Sequence, residues 1–559
     1  MSRLPFMTDF VFLIPHTVLA AVGLLVLVVD FSLLRNTPPA QRNRVLGTLS
    51  LLGIVATLFL AAPFVSTRLS YEKPFFLGLN LNLNADPLLF MGTISGDLAV
   101  AWFNVIILAM LALVVILSMG WDFTRDWGEY YALLLWATVG MLFLVAAEEL
   151  LTLFLALEMM TICLYLLTAI QKDKRRSVEG GLKYFVYGSV SSALFLFGLS
   201  LIYGLTGTTR LPAIAVALTP KSGEMAGLGG NIAAATAVLM ILVGFGFKIA
   251  AVPFHQWAPD AYEGAPAPVA AWVATGSKVA SFIAMMKVML YALGPWSYGA
   301  ASELSPGWIG IVAVISAATM TYGNFAALAQ TNFKRMLAYS SIAHAGYMLV
   351  GVLAAGISVR GNEATGAVLF YLVIYGFSNI GAFAVAAWLA KERGTDEIDD
   401  LNGVGQTYPI LGVCMVLLML SLIGMPPLAG FNAKIFMFSE ALNDGGEKGR
   451  LAFRWLVALG LFNSVVSAFY YVRVLRAMFL RPPGPLPMRP TPATIRIPVL
   501  VATVIVTAFG LYPAPLLDAM TTAAEPMLIT GTQVIQFLDE PAPVDALNEP
   551  PAVRKVTIR

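Results

Sequence analysis

Val243-Gly-Phe-Gly-Phe-Lys248 is a stretch that returns 186 residues later, without a gap, as Ala429-Gly-Phe-Asn-Ala-Lys434. Both copies place a lysine after an apolar run, which is an unusual position for a charged side chain. The same offset superimposes further polar positions, namely Glu158 on His344, Lys287 on Arg473 and Ser281 on Ser467. Several ionisable residues therefore share one register, and the sequence predicts an internal repeat.

The sequence around this repeat is too apolar for a soluble protein. Of its 559 residues, 58% are hydrophobic and only 12% are charged. Soluble domains carry about 25% charged residues, and the mean hydropathy here is +0.80. The net charge of +2 provides no basic face for nucleic acid. We therefore predict that the chain lies in a lipid bilayer and binds no nucleic acid.

No motif in the sequence indicates a cofactor or a metal. The two cysteines, Cys163 and Cys414, lie far apart in apolar runs, where a buried thiol acts as a small hydrophobic group. There is no Gly-x-Gly-x-x-Gly after a strand and no phosphate-binding loop. We predict no bound nucleotide, redox cofactor or metal, so any electron transfer would take place in another protein.

The apolar runs predict an all-α polytopic membrane protein. A bilayer core of about 30 Å requires roughly 20 apolar residues per helix, and fourteen segments meet this condition. The predicted spans are 10–32, 45–65, 98–118, 130–147, 150–170, 183–206, 232–257, 266–293, 307–328, 335–355, 366–390, 408–441, 452–480 and 496–517.

The repeat groups these spans into two units. The first copy covers the fourth to the eighth span and the second copy covers the ninth to the thirteenth. Because five crossings are an odd number, the second unit is predicted to be inverted relative to the first, as in secondary transporters. The predicted segments are an N-terminal three-helix segment (1–128), the first five-helix repeat (129–294), the inverted second repeat (306–481), a last transmembrane helix (494–517) and an extramembrane tail (518–559).

Two of the predicted spans contain residues that interrupt helices. Gly244, Gly246 and Pro253 lie in the seventh span, and Gly424-Met-Pro-Pro427 lies in the twelfth. Proline removes a backbone donor and glycine weakens a helix, so both spans are predicted to be broken near a lysine. Broken helices near the midplane are where such transporters place their working site.

The basic residues of the loops predict the orientation. If the N-terminus lies outside, eighteen lysines and arginines fall on the inside and twelve on the outside, three of them in the distant C-terminal tail. Basic residues favour the cytoplasmic side. With an even number of spans, the prediction is a multi-pass protein of the bacterial inner (plasma) membrane with both termini on the periplasmic side.

Four ionisable residues are predicted to lie inside the membrane: Glu158, Lys248, Lys278 and Lys434. A charge at the centre of a membrane helix costs about 2.5–3.5 kcal/mol on insertion scales, so such residues are candidates for function. Desolvation lowers the pKa of a lysine and a nearby carboxylate raises it again. A carboxylate that changes its distance from a lysine could therefore make the lysine bind and release protons.

Two histidines extend this set, because imidazole titrates near neutrality. His255 follows Pro253 in the seventh span, and His344 occupies the repeat position of Glu158. Each could transfer protons or could simply join two helices by a hydrogen bond. Other charged residues lie near predicted span ends, where Lys287 and Arg473 are expected to extend toward the interface and Asp30, Glu148 and Glu149 to lie at it.

Four segments of the chain have distinctive sequences, namely 129–135 (EYYALLL), 181–186 (GLKYFV), 247–266 (FKIAAVPFHQWAPDAYEGAP) and 332–344 (NFKRMLAYSSIAH). They resemble the antiporter-like subunits of respiratory complex I, the NADH–quinone oxidoreductase. The likeness extends over nearly all of residues 1–517. Related subunits with a glutamate in place of Lys434, or with a long lateral helix, fit this chain less well.

The resemblance implies a function that composition alone could not give. It implies a proton-translocating membrane-arm subunit with two half-channels, in which Glu158 and Lys248 form the first pair, Lys278 connects the halves and Lys434 is the exit lysine. It also implies other complex I membrane subunits as partners, with Glu158 facing a neighbour. Two alternatives stay open, namely an Mrp-type cation/proton antiporter subunit and a membrane scaffold with an inactive channel.

Overall fold

The structure is a computed structural model of the chain, and it describes residues 6–70, 75–76, 79–80, 88–219, 232–297, 307–357, 361–443, 446–482 and 491–527. Within these residues, thirteen helices are long and apolar enough to cross a membrane. The remaining predicted span, 408–441, is present as two shorter helices separated by a break. The prediction of an all-α polytopic membrane protein with broken helices is confirmed.

Three long helices precede the repeat. They are α1 (Phe6–Leu33), α2 (Pro39–Ser70) and α3 (Leu98–Ser118). Between α2 and α3 the chain forms two short antiparallel hairpins, in which β1 (Phe75–Phe76) pairs with β2 (Leu79–Asn80) and β3 (Leu88–Leu89) pairs with β4 (Ile94–Ser95). Asp97 caps α3, because its side chain accepts a hydrogen bond from the backbone N–H of Val100 at 2.8 Å.

The first unit contains five crossings and one short helix. Its helices are α4 (Trp127–Ala146), α5 (Leu150–Thr168), α6 (Arg175–Thr206), the short α7 (Leu211–Leu218), α8 (Ile232–Ile249) with α9 (Trp257–Gly264), and α10 (Ala267–Ala274), which continues into α11 (Gly276–Met286) and a π-helical turn over Lys287–Ala292. Short 3-10 turns lie at Phe90–Gly92 and Gly294–Trp296, on either side of this unit.

The second unit repeats this order. Its helices are α12 (Gly307–Leu328), α13 (Phe333–Ile357), α14 (Gly361–Arg393), the short α15 (Val404–Thr407), α16 (Pro409–Ile423) with α17 (Ala429–Asn443), and α18 (Gly446–Leu480); a 3-10 turn covers Ile398–Leu401. At the offset of 186, α5 falls on α13 and α6 falls on α14 with nearly the same bounds. The repeat found in the sequence is therefore a repeat of helices.

The break in the seventh span does not lie at its glycines. Helix α8 continues through Gly244 and Gly246 to Ile249, and the non-helical segment 250–256 follows it. Gly244 has a packing role, since a Cβ there would meet the ring of Phe195. The indole N–H of Trp257 donates to the carbonyl of Phe247 at 3.0 Å and satisfies one of the free carbonyls at the end of α8.

The break in the twelfth span lies where the sequence places it. Helix α16 ends at Ile423, and Gly424 follows with φ +91°, a left-handed conformation that favours glycine. Lys434 therefore lies in the helix after its break, whereas Lys248 lies in the helix before its break. The 186-residue offset superimposes the two lysines but not the two breaks.

The two units meet at the centre of the molecule. The helices α10 and α11 are buried along their whole length, and α13 and α14 are buried over most of theirs. The outer helices α1, α2 and α6 present rows of large apolar side chains outward. This arrangement is expected in lipid, where hydrophobic surface faces the acyl chains and polar groups turn inward. The candidate site lies in the buried centre.

The predicted last span, 496–517, extends beyond the C-terminal end of the helix found there, which stops at Leu511. Helix α19 (Ala493–Leu511) stops before Pro513, because the residue preceding a proline is disfavoured in a helix. A separate helix, α20 (Ala514–Ala524), and a 3-10 turn (Glu525–Met527) then pack against α14 and α3. The predicted tail thus begins with packed helix, and its residues from 528 onward lie outside the described residues.

Candidate functional site

Lys248 lies buried near the C-terminal end of α8, with 5% of its surface exposed. Its ammonium donates a hydrogen bond to the hydroxyl of Thr161 on α5. The rings of Tyr165 and Phe247 lie 5.7 and 5.2 Å from the same nitrogen, within the range of a cation–π contact. Among the described residues, Lys248 has no carboxylate within ion-pair distance.

Glu158 lies one helical turn before Thr161 on α5, but its side chain turns to a different partner. Its carboxylate accepts a hydrogen bond from the hydroxyl of Ser192 on α6 at 2.5 Å. Glu158 is half-buried, and its neighbours Leu155 and Met159 are exposed on the outer face. The structure brings Glu158 and Lys248 to the same group of helices without a direct ion pair between them.

Lys278 lies in α11 at the contact between the two units, with 1% of its surface exposed. Its ammonium donates to both the carbonyl and the hydroxyl of Ser341 on α13, each at 2.6 Å. The hydroxyl of Tyr375 on α14 also donates to the Ser341 hydroxyl, at 2.7 Å. The lysine predicted to connect the two halves is thus bonded directly across their boundary.

His344 is 1% exposed on α13 and both of its ring nitrogens have hydroxyl partners. Nδ1 lies 2.7 Å from the hydroxyl of Tyr371, and Nε2 lies 3.1 Å from the hydroxyl of Tyr471. The Tyr471 hydroxyl is also 2.5 Å from the hydroxyl of Ser340. His344 therefore belongs to a chain of hydroxyl groups that begins one residue from the partner of Lys278.

Lys434 closes the series at the break between α16 and α17. Its ammonium donates to the carbonyls of Ile423 at 2.7 Å and Leu422 at 3.3 Å, and to the hydroxyl of Ser464 at 3.3 Å. Ile423 is the last residue of α16, where free carbonyls and the helix dipole favour a positive charge. The ring of Tyr347 lies 4.7 Å from the ammonium.

His255 lies in the broken segment after α8 and is 7% exposed. Its ring stands against the ring of Tyr322 on α12, at 4.5 Å between centroids. The backbone N–H of Val252 in the same segment donates to the Thr319 hydroxyl of α12 at 3.0 Å. The structure therefore places His255 between the two units, without a hydrogen bond to Lys248 among the described contacts.

Lys287 does not extend toward the interface as the sequence predicts. It is 2% exposed, and its ammonium lies 2.7 Å from the carboxylate of Glu148 and 3.8 Å from that of Asp97. The predicted interfacial position of Glu148 is corrected with it. A buried lysine beside two buried carboxylates is stabilised by them, so extension to water would leave both carboxylates unpaired.

The remaining charges at helix ends are also bonded inside the protein. Asp30 accepts two hydrogen bonds from Arg42, at 2.8 and 2.5 Å, and joins α1 to α2. Glu149 caps α5 by accepting from the backbone N–H of Thr152 at 2.7 Å. Arg473 donates to the carbonyl of Leu328, the last residue of α12, at 3.0 Å and to the carbonyl of Gln330 beyond it. These groups hold helices together.

Charged residues also join the first unit to the second at one end of the molecule. The carboxylate of Asp260 on α9 receives hydrogen bonds from Lys183 on α6 at 2.6 Å and from Arg335 on α13 at 2.5 Å. Glu263 bonds Arg335 and Arg176, each at 2.9 Å. Burial raises the pKa of Asp260, but the bonds from Lys183 and Arg335 outweigh it and hold that pKa below its ordinary value.

Sequence reasoning missed the hydroxyl groups that join the predicted residues. Tyr371 and Tyr375 are four residues apart on α14, so both face α13, and Ser340 and Ser341 precede His344 by one turn. Their spacing could have been read from the sequence once His344 was singled out. Among the described residues, no group of three or more His, Cys, Asp or Glu side chains is placed to hold a metal ion.

The family described as "NADH:quinone oxidoreductase/Mrp antiporter, TM" matches residues 147–463 of this chain. NADH-quinone oxidoreductase subunit N 2 of Acidobacterium capsulatum is 38% identical to it, over 89% of this chain and 96% of that protein. F(420)H(2) dehydrogenase subunit N of Methanosarcina mazei is 36% identical, over 93% and 99%.

Solved structures show the same likeness. A chain of respiratory complex I from Thermus thermophilus, solved with bound aureothin, is 32% identical with a TM-score of 0.68, over 91% of this chain and 99% of that one. A chain of the Mrp complex from a Dietzia species has a TM-score of 0.74 at 20% identity, over 95% and 99%. At that identity the Mrp likeness concerns the fold alone.

Proposed function

The chain belongs to the NADH:quinone oxidoreductase/Mrp antiporter family of transmembrane proteins, and on this premise we propose that it moves protons across the membrane as the N-type subunit of a quinone-reducing respiratory complex. The relatives that cover nearly the whole chain carry this subunit name in complexes with two different electron donors. The proposal therefore assigns proton movement to this chain and electron transfer to other subunits of the complex.

One observation carries the proposal: the hydrogen-bond partners of three buried lysines are all neutral among the residues that the structure describes. Lys248 has a threonine hydroxyl, Lys278 a serine, and Lys434 two carbonyls and a serine hydroxyl. A buried ammonium without a counterion is unstable, and the neutral amine is favoured in its place. Such a lysine can exist in either protonation state, as a proton carrier must.

Lys287 supplies the contrast within the same chain. It is equally buried, but it has Glu148 beside it. A lysine held by a buried carboxylate is stabilised as an ammonium and keeps its proton. We therefore assign Lys287 to structure and assign the three lysines with neutral partners, together with Glu158, His255 and His344, to proton transfer.

The position of Glu158 supports a neighbouring subunit as partner. Its half-buried carboxylate lies on an outer face beside the exposed side chains of Leu155, Met159 and Ile162. A carboxylate on a lipid-facing surface is unfavourable, so a second membrane protein covering α5 and α6 would stabilise it. We propose that another membrane-arm subunit docks there.

The basic residues of the loops support one orientation of the chain in the membrane. We propose that both chain ends lie on the periplasmic side of the plasma membrane, because this arrangement puts the larger share of the basic loop residues on the cytoplasmic side. Cysteines introduced at position 37 in the α1–α2 turn and at position 219 after α7 would report it. An impermeant thiol reagent should label position 219 from the periplasm and position 37 from the cytoplasm; the reverse pattern would contradict the orientation.

The function is tested by removing one carrier lysine from the assembled complex. Lys248→Met keeps a buried side chain of similar length without an amine, and Lys391→Met removes an exposed lysine bonded to the Gly120 carbonyl as the matched control. We expect proton pumping driven by quinone reduction to fall by about 100-fold in the first variant, a typical contribution of one proton-transfer group. Undiminished pumping by the Lys248 variant would contradict the proposal.

The same preparation separates the proposal from a cation/proton antiporter, which the fold likeness to the Mrp complex makes the second candidate. Vesicles containing the complex are given a sodium gradient in place of the electron donor. We expect no sodium-driven proton movement. Sodium-driven movement that Lys248→Met abolishes would favour the antiporter.

A further inference from the structure

The imidazole of His344 is held at both ends by tyrosine hydroxyls. Tyr371 approaches Nδ1 at 2.7 Å and Tyr471 approaches Nε2 at 3.1 Å. The three residues come from three helices, α13, α14 and α18, and all three are buried. Since each hydroxyl can both donate and accept a hydrogen bond, this arrangement fixes the ring without fixing which nitrogen carries its proton.

The surroundings favour a neutral ring. The rings of Tyr347, Tyr371 and Tyr375 lie 5.7, 5.9 and 5.3 Å from the imidazole. The hydrogen-bond partners described for the ring are hydroxyls. An imidazolium would be buried here with no carboxylate among those partners, which is strongly unfavourable.

A neutral imidazole has one N–H and one bare nitrogen. One tyrosine must therefore donate to the ring while the other accepts from it. Two arrangements satisfy both bonds, and they differ in which nitrogen bears the proton and in the direction of both hydroxyls. Both tautomers of His344 therefore make the same two hydrogen bonds, and the site has two states.

The hydroxyl chain extends from one side of the ring toward a carrier lysine. The Tyr471 hydroxyl is 2.5 Å from the hydroxyl of Ser340, and the next residue, Ser341, holds the ammonium of Lys278. Tyr347 also packs against the imidazole, and its ring lies 4.7 Å from the ammonium of Lys434. His344 therefore contacts residues that surround two lysines of the proposed path.

We propose that His344 passes protons by exchanging its tautomer, with Tyr471 and Tyr371 as the hydroxyl groups that exchange protons with its two nitrogens. This inference rests on the proposed function. In one passage Tyr471 gives its proton to Nε2 and regains one from Ser340, which in turn regains one from a water molecule on the Lys278 side. The Nδ1–H group gives its proton to Tyr371, which releases its own hydroxyl proton to a second water molecule. One N–H bond forms and one breaks, so the ring stays neutral and one proton moves across it.

Each passage leaves the imidazole in the opposite tautomer and reverses the direction of the hydrogen bonds made by the hydroxyls of Tyr371 and Tyr471. A second proton can follow in the same direction only after the ring and the hydroxyls have reoriented, a step that moves no net charge. The relay therefore passes one proton per reset.

Two kinds of variant test the relay. Tyr371→Phe and Tyr471→Phe keep each ring and remove one hydroxyl, and His344→Gln keeps a donor and an acceptor in a side chain that cannot exchange them. Tyr203→Phe removes an exposed hydroxyl on α6 as the control. We expect each of the three relay variants to assemble normally and to pump protons about 100-fold more slowly, and the control to pump at the unmodified rate.

A spectroscopic measurement separates a relay from a merely structural role. The chain has only three histidines, so nitrogen-15 NMR of the histidine-labelled complex can be resolved by replacing His16 and His255 in turn. We expect His344 to be neutral and to exchange between its two tautomers, and we expect exchange to stop in either tyrosine variant. An imidazolium, or one tautomer unaffected by both variants, would overturn the relay.

The outcomes distinguish this inference from the function on which it rests. If Lys248→Met stops pumping but all three relay variants pump normally, the relay is wrong and the proposed function stands. If Lys248→Met also pumps normally, the proposed function itself fails. Slow pumping by the relay variants with unchanged tautomer exchange would show that the hydroxyls only support the fold, and it would also overturn the relay.

Discussion

The ammonium of Lys278, on the last crossing of the first unit, donates to both the carbonyl and the hydroxyl of Ser341 in the second unit, each at 2.6 Å. One side chain thus joins the two repeats at their buried contact. The bond to the carbonyl depends only on the backbone, whereas the bond to the hydroxyl depends on the serine. The two contributions can be separated by mutation.

We expect Lys278→Met to lower proton pumping by about 100-fold, because it removes the amine that joins the two units of the path. Ser341→Ala should retain most of the activity, since the carbonyl still accepts from Lys278 and one neutral hydrogen bond is worth about 1 kcal/mol. Pumping rates of the two variants in reconstituted complex check this order. Equal loss in both variants would show that the hydroxyl itself carries the proton.

The ion pair between Lys287 and Glu148 is expected to matter for stability instead. Lys287→Met leaves Glu148 and Asp97 buried without their cation, and removing one partner of a buried pair costs about 3–5 kcal/mol. We expect a lowered unfolding temperature and poor assembly, with partial recovery when Glu148→Gln is added. Lys278→Met is the control because Lys278 has neutral partners. A Lys287 variant as stable as that control would contradict this assignment.

Asp260 should contribute stability in a defined pH range. Its pKa is lowered because the bonds from Lys183 and Arg335 outweigh the effect of burial. A carboxylate with a lowered folded pKa stabilises the fold above its ordinary pKa of 3.8, and this stability is lost as the pH falls through the lowered value. We expect Asp260→Asn to destabilise the protein by about 1 kcal/mol.

The pH dependence provides the check on Asp260. The difference in unfolding free energy between Asp260→Asn and the unmodified protein should be constant between about pH 8 and about pH 5 and should shrink only at more acidic pH. The exposed Asp399, which pairs with Arg481, offers a matched control with a smaller effect. A difference that already disappears near neutral pH would show that Asp260 is not held by these cations.

Gly430 is expected to be required for the close packing of α17 on α16. A Cβ at this position would collide with the carbonyl of Ser421, a backbone atom that cannot move aside alone. We expect Gly430→Ala to destabilise the protein by about 3 kcal/mol, at the upper end for single substitutions. Gly204→Ala, which meets nothing within 4 Å, should be neutral or stabilising by up to about 1 kcal/mol. Thermal unfolding of both variants checks this prediction: Gly430→Ala should unfold at a lower temperature than the unmodified protein, and Gly204→Ala should not.

The sequence was sufficient to predict the helices and the repeat because both depend on local properties. Twenty apolar residues identify a membrane span, and the shared register of Lys248 and Lys434 identifies the duplication. Their surroundings depend on contacts between distant residues. The bond from Lys248 to Thr161 spans 87 residues, and the bond from Lys287 to Glu148 spans 139.

The errors have the same physical origin. Lys287 and Lys278 lie nine residues apart on continuous helix, and nothing in the local sequence tells that only one of them meets a carboxylate. The sequence predicts the break of the seventh span at Gly244, Gly246 and Pro253. The break contains Pro253, whereas the two glycines serve packing in an unbroken helix. Glycine at a helix contact and glycine at a helix break have the same appearance in a sequence, and only the neighbouring helix distinguishes them.

The most direct test of the account is the number of protons pumped per electron pair by reconstituted complex carrying Lys434→Met. Lys434 stands at the end of the series, and Lys391→Met controls for the loss of a surface lysine. We predict that the Lys434 variant assembles normally and pumps fewer protons per electron pair than the control. A normally assembled Lys434 variant that pumps the same number of protons as the control would contradict the claim that this chain carries protons through its buried lysines.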